Sequence, residues 1–205
     1  MGLFSTKKIR QVFNPLGVDV GKFVWMDDLD HRDQQFRVTR ISEYTRDISG
    51  KVFRFTDYYL SNTDASKEFI LRFNPMDKPL PGVAQTNNVL LLTLFDEVSY
   101  TEDFLAVLND TTKIFEVNLD GVVAERYWRI NDVQDPYVAK VASVETPDAK
   151  DISAREVKYW DYWREVEDEA KQKGLEFLFI EMDTSNGWFQ LWKGKDIDPY
   201  LVKSV

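Results

Sequence analysis

The sequence predicts a β-rich α+β protein, with about ten mostly antiparallel strands and one long helix near the C-terminus. Three observations carry this expectation. Short segments rich in Val, Ile, Phe and Tyr recur between polar breaks from residue 20 onward. Asp120-Gly121 sits between two apolar runs, the signature of a two-residue hairpin turn. Ser153-Ala154-Arg155-Glu156 has the form of a capping box, and Gly174 stands where such a helix would stop.

Taken in order, residues 1–18 carry Lys7, Lys8 and Arg10 and no acid. Leu3, Phe4, Ile9, Val12, Phe13 and Leu16 mix with these bases at roughly helical spacing until Asn14-Pro15 and Gly17 interrupt. This basic amphipathic segment precedes a body spanning 19–205. Residues 20–26, 35–41, 51–60 and 67–73 read as strands, joined by loops over 27–33, 42–50 and 61–66. Phe36-Arg37-Val38-Thr39 and Val52-Phe53-Arg54-Phe55-Thr56 alternate, so each should show one face to water. Pro75, Pro79, Pro81 and Gly82 form a long breaker, and 75–82 is the candidate division between two lobes.

Residues 89–95 are nearly all apolar, as a strand covered on both faces would be. Thr101-Glu102-Asp103 then opens a short helix ending near Asn109, with a capping hydroxyl and two early acids. Strands follow over 113–119, 122–130 and 136–144, and 145–152 reads as a linker. The long helix is expected over 153–173. The last strands, 175–182 and 188–192, are joined by a loop over 183–187. The hairpins at 57–71 and 177–192 share an aromatic-strand, polar-loop, aromatic-strand pattern too generic to constitute a repeat.

Composition excludes more than it assigns. Of 205 residues, 35 are Asp or Glu and 26 are Lys or Arg, a formal net charge of −9 that repels nucleic-acid phosphates. With 14 Phe, 9 Tyr and 6 Trp, the chain has the apolar mass to bury a core. No cysteine is present, which removes disulfides, thiolate catalysis and cysteine-bound metal clusters. The single histidine, His31, leaves no multi-histidine metal site and little His-based acid/base chemistry. Phosphate-cradling glycine motifs are absent, and no apolar run is long enough to span a bilayer. The expected location is therefore cytoplasmic.

Several weak candidates remain. Asp27, Asp28, Asp30 and Asp33 surround His31 and could supply oxygens to a hard cation, but Leu29, His31 and Arg32 break the calcium-loop pattern. A solvated hairpin loop explains the same residues, and neither a metal nor a cofactor is named. Tyr159, Trp160, Tyr162 and Trp163 form the most unusual cluster. On a helix, Tyr159 and Trp163 would share a face with Val166 and Ala170, whereas four large rings in five positions cannot all lie on one stripe. Trp163 is accordingly expected in the core. Tyr159, Trp160, Tyr162, Glu165 and Asp168 become candidates for contact with an unidentified protein partner. Leu3, Phe4, Lys7, Lys8 and Arg10 are candidates for peripheral contact with an anionic membrane, packing across the body being the alternative.

The segments Tyr159-Trp160-Asp161-Tyr162-Trp163-Arg164-Glu165 and Gly187-Trp188-Phe189-Gln190-Leu191-Trp192-Lys193-Gly194, together with residues 53–73 around Tyr58-Tyr59-Leu60, resemble an uncharacterised bacterial domain family. Its members are encoded near membrane-stress proteins of the phage-shock type. The resemblance covers about a third of the chain, and its motifs are structural rather than catalytic. It implies bacterial origin and an accessory role, with no activity to carry over. The function expected from the sequence is therefore non-catalytic binding, as an adaptor. The alternative is a carboxylate-based hydrolase acting on a small polar substrate, which requires a pocket holding two acids of separated pKa.

Overall fold

The computed structural model describes residues 12–27, 34–48, 50–62, 68–74, 88–110, 114–119, 122–130, 136–146, 153–167, 173–183 and 187–204. Its strands are β1 (Phe23–Met26), β2 (Gln34–Ile48), β3 (Lys51–Ser61), β4 (Glu68–Phe73), β5 (Val89–Ser99), β6 (Phe115–Leu119), β7 (Val122–Arg129), β8 (Tyr137–Val144), β9 (Ser153–Glu167), β10 (Lys173–Asp183), β11 (Trp188–Asp196) and β12 (Val202–Ser204). The α-helix is α1 (Glu102–Asn109), between β5 and β6. Eight strands close a circuit in the order β2-β3-β4-β5-β11-β10-β9-β8 and back to β2. Every pairing in that circuit is antiparallel. The fold is thus a barrel built from two four-stranded meanders, β2–β5 and β8–β11. Their first strands pair with each other, and so do their last.

The long C-terminal helix expected over 153–173 is not formed, so the α+β assignment is corrected to a β-barrel. Residues 153–167 are β9, and Gly174 pairs with Val166 inside the β9–β10 ladder. The physical reason lies in the aromatic cluster itself. A helix offers one buried stripe, whereas a strand covered on both faces buries successive residues on opposite sides. Val157 and Tyr159 face one side and Trp160 and Tyr162 the other, and all four are buried. That two-sided burial outweighs the local capping signal. The short helix at Thr101 forms as expected, with the Thr101 side chain accepting from the Phe104 amide at 3.1 Å. β2 continues to Ile48, through part of the loop expected over 42–50. β4 and β5, on either side of the Pro75–Gly82 breaker, are paired neighbours, and residues 75–87 lie outside the described residues.

Contacts between non-adjacent strands identify the lumen. Tyr44 of β2 reaches Glu181 of β10, Arg72 of β4 lies against Phe179 of β10, and Tyr59 of β3 meets Trp192 of β11. Eight strands leave an interior that side chains can fill. The outer walls are covered by the chain itself. Over the first meander lie β1, β12 and residues 12–20, which bury Phe36, Val38, Ile41, Tyr58, Leu60 and Leu71. Over the second lie α1 and the β6–β7 hairpin, which bury Trp160, Tyr162, Leu178, Ile180 and Phe189. A tyrosine on the second strand of each meander ties down its cover. Tyr58 donates to Asn14 Oδ1 at 2.5 Å and accepts from the Leu16 amide at 2.9 Å. Tyr162 donates to the Leu108 carbonyl at 3.4 Å, and Trp160 Nε1 donates to Asn109 Oδ1 at 3.2 Å.

Since Trp160 is 0% exposed and joins the helix to the barrel wall, Trp160→Ala should destabilise the fold by about 3–5 kcal/mol. Trp163 is only partly buried, so Trp163→Ala should cost less. Urea unfolding of the two variants measures the order, which is the reverse of what the helical reading of this segment implies.

Candidate functional site

The lumen is unusually polar. An apolar set on β4, β5 and β10 comprises Ile70, Leu90, Leu92, Phe177 and Phe179, and charged or hydroxyl groups stand beside it. Asp57 and Arg72, opposite each other on β3 and β4, form a bidentate pair with contacts of 2.8 and 2.7 Å. Both are buried, and the guanidinium also lies 4.5 Å from the Phe179 ring centre and 4.7 Å from that of Phe55. Burial alone would lower the Arg72 pKa, but the adjacent Asp57 carboxylate outweighs it and holds the guanidinium charged.

A second network runs along the lumen towards one mouth of the barrel. Tyr44 donates to Glu181 Oε2 at 2.8 Å, so its oxygen is the acceptor for the Tyr59 hydroxyl at 3.1 Å. Arg155 bridges Glu181, at 3.2 Å, and Asp183. Burial pushes the Glu181 carboxyl above its ordinary value, and Arg155 and Arg72 only partly oppose it. Burial likewise raises Tyr44 and Tyr59, reinforced by the Glu181 charge. At the other end of β2, Arg46 Nη1 donates to the Tyr159 hydroxyl at 2.6 Å and stacks 3.8 Å from the Tyr137 ring centre.

The mouth beyond Tyr59 is a cavity of about 300 Å³ lined by Thr39, Arg40, Tyr59, Leu60, Glu68, Glu145, Gln190 and Trp192. Two bulges frame it. β2 shifts register against β3 between Val38 and Arg40, and β11 shifts against β5 between Leu191 and Trp192. Bulges re-aim side chains, and these bring Arg40 and Trp192 to the same opening. Thr39, the extra residue of the first bulge, donates its hydroxyl to the Tyr59 carbonyl at 3.1 Å. The Arg40 guanidinium lies flat over the Tyr59 ring, 3.5 Å from its centre, and Trp192 meets that ring edge-on. Arg40 Nε is buried with no hydrogen-bond acceptor. A second cavity, about 310 Å³, crosses β8 and β9 at Lys140, Ala142, Ala154, Arg155 and Glu156. It has no aromatic wall, and its arginine already holds two carboxylates.

The residues singled out from the sequence are dispersed. Tyr159 faces the lumen, while Trp160 and Tyr162 face outward beneath α1, so none of the three rings is presented to an external partner. The helix surface on which they were grouped does not exist. Glu165 is exposed on β9 opposite Leu175. Asp168 lies outside the described residues, as do Leu3, Phe4, Lys7, Lys8, Arg10, Asp28, Asp30, His31 and Asp33. Asp27 is exposed, and its amide donates to the Leu201 carbonyl at 3.1 Å. Among the described residues, no three acidic or histidine side chains converge as metal ligands, and no helix is long and apolar enough to cross a membrane.

Arg40 is not among the residues the sequence points to, and Tyr59, Gln190 and Trp192 enter there only within the segments that carry the resemblance and not as site residues, yet β2 held a signal for Arg40. Phe36 and Val38 are followed by Ile41, so the outward apolar series slips by one residue where Arg40 lies. No family model, curated protein or solved structure matches the chain.

Two measurements test the lumen. Asp57→Asn leaves Arg72 without its counter-charge and should cost about 3–5 kcal/mol in urea unfolding, most of it recovered by the double variant Asp57→Leu/Arg72→Met. Because the folded state raises the Glu181 pKa, that state holds the proton more tightly than the unfolded chain does. Its contribution is fully present below the ordinary glutamate range and is lost as pH rises through the raised value. Glu181→Gln should remove this fall, as denaturation midpoints across an acid-to-neutral series would show.

Proposed function

We propose that the protein is a non-catalytic binding module whose accepting site is the barrel mouth at Arg40. The observation that carries the proposal is the convergence of both barrel-wall bulges on one cavity, where they hold a guanidinium with a buried Nε and no acceptor for it. Such irregularities disturb the hydrogen-bond ladder and recur beside functional sites.

The distribution of buried carboxylates favours binding over hydrolysis. A carboxylate hydrolase needs two acids facing a substrate, one driven to stay protonated by burial or charge and the other ionised. Asp57 is committed to Arg72, and Glu181 and Asp183 share Arg155. Neither pair lines the mouth cavity, and the two acids that do, Glu68 and Glu145, are exposed, so burial does not drive either to stay protonated. The adaptor role expected from the aromatic cluster thus moves from the β9 rings, which hold the chain's own covers, to the mouth. The resemblance to a family encoded beside membrane-stress proteins fits such an accessory, cytoplasmic binding role.

Solution NMR tests the proposal. With the tryptophan indoles labelled and assigned by substitution, a small-molecule extract of a bacterial cell should shift the Trp192 indole resonance and leave that of Trp160 in place. An unmoved Trp192 resonance, or shifts confined to other parts of the molecule, would sink the assignment of the mouth.

A further inference from the structure

We infer that the mouth takes a small zwitterion of the α-amino-acid type, its carboxylate on Arg40 and its ammonium on the side of Glu68 and Glu145. This rests on the mouth being the accepting site, and deepens that reading by naming the chemical class of the ligand.

Arg40 supplies the first half. One face of its guanidinium is taken by the Tyr59 ring, 3.5 Å away, which fixes the plane of the group by stacking and cation–π attraction. Stacking occupies a face and not the edge, where the N–H donors lie. Among the described residues Arg40 forms no ion pair with a carboxylate, in contrast to Arg72 and Arg155 deeper in the same lumen. Nε is enclosed, so the two terminal nitrogens are the donors that can meet an incoming group, and their planar edge is matched by a carboxylate, which accepts two parallel hydrogen bonds.

The remaining lining supplies the second half. Glu68 and Glu145 bring two negative charges to the same opening. A simple anion would meet both acids and a protein of net charge −9, and a simple cation would meet Arg40. A ligand bearing both charges a few bonds apart satisfies each. Gln190 adds a fixed acceptor. Its amide nitrogen donates to Glu97 Oε1 at 2.8 Å, which leaves its carbonyl oxygen for an incoming N–H. The Trp192 and Tyr59 rings provide the apolar wall for a side chain. A volume of about 300 Å³ is at the small end for ligand sites and suits a compact molecule.

Isothermal titration of the full chain with each standard L-amino acid identifies the best binder, which is then compared with its N-acetyl and primary-amide derivatives. Binding of the free amino acid, weakened about tenfold or more by either blocking group, is the expected result. Arg40→Gln should weaken it by a similar factor, with Arg40→Lys retaining part. The double variant Glu68→Gln/Glu145→Gln, at two exposed positions, gives an independent reading if Arg40→Gln does not fold. Equal affinity for the N-acetyl derivative, or unchanged affinity in both the arginine and the glutamate variants, overturns the zwitterion. If no amino acid binds while Trp192 still responds to the cell extract, the ligand class falls and the mouth stands. If both are silent, both fall.

Discussion

A charge placed inside a closed barrel must bring its counter-charge with it, and that constraint organises the interior of this protein. The Asp57–Arg72 pair shows the consequence most directly, since each group is buried and each would be costly to leave alone. The pair forms only if β3 and β4 align with Asp57 opposite Arg72. The Tyr59–Tyr44–Glu181–Arg155–Asp183 series extends the same demand through β3, β2, β10 and β9, and so across both meanders. A one-residue slip in any of these strands would turn its lumen groups to the outside wall. Such a lumen is a weak source of net stability and a strong source of register. Apolar burial is supplied instead by the outer walls and their covers, where Trp160, Phe189, Phe36 and Leu60 are packed.

The two meanders solve the same problem with related means. Each second strand carries an aromatic residue, then one intervening residue, then Asp-Tyr-aromatic. These are Phe55, Asp57, Tyr58 and Tyr59 in β3, and Tyr159, Asp161, Tyr162 and Trp163 in β9. The aspartate faces inward and the following tyrosine outward, where it anchors a covering segment by its hydroxyl. The covers differ, with residues 12–20 and two short strands on one side and α1 with a hairpin on the other. The hairpin has its own clamp. Arg164 bridges Glu125 and Glu176 at 2.6 Å each, and Lys193 reaches Glu125 at 2.8 Å. Like order of strands, closure of first on first and last on last, and one shared motif together describe an internal correspondence. Comparison of the 57–71 and 177–192 hairpins obscures it, because the equivalent of β3 is β9 and not β10.

Much of the strand content was legible because period-two alternation and turn residues are local properties. The α1 cap at Thr101 and the strands on either side of Asp120-Gly121 lie where the sequence puts them. β9 was not legible in the same way. Its Ser153–Glu156 capping pattern is local, whereas its true burial depends on the lumen on one side and on α1, more than forty residues earlier, on the other. The excess of rings that no single helical stripe could hold was itself evidence for a two-faced strand. The mouth was harder still, since Arg40, Glu68, Glu145 and Trp192 come from four separate parts of the chain and meet only when the barrel closes. Within β2, the slip from Val38 to Ile41 marked the bulge but could not tell which partner strand would share its opening.

Closure also explains why such a bulge is tolerable at the mouth. An open sheet with a disrupted ladder exposes unpaired backbone groups that invite further pairing, whereas a closed circuit has no free edge to propagate the defect. Thr39 answers the local loss by donating its hydroxyl to the Tyr59 carbonyl, and the residues leading into β1 lie against the same stretch, the Val38 amide donating to the Lys22 carbonyl and the Val38 carbonyl accepting from the Gly21 amide. The bulge is therefore held from both sides while its neighbour Arg40 faces the cavity. On β11 the register shift lies beside Trp192, which is buried and fixed by Tyr59. Rigid framing of this half-buried cation without a carboxylate differs from the treatment of Arg72 and Arg155, where Asp57, Glu181 and Asp183 supply the counter-charge. The proposed ligand is placed at this position because the backbone is bent to aim a guanidinium at the cavity and no carboxylate of the described residues pairs with it.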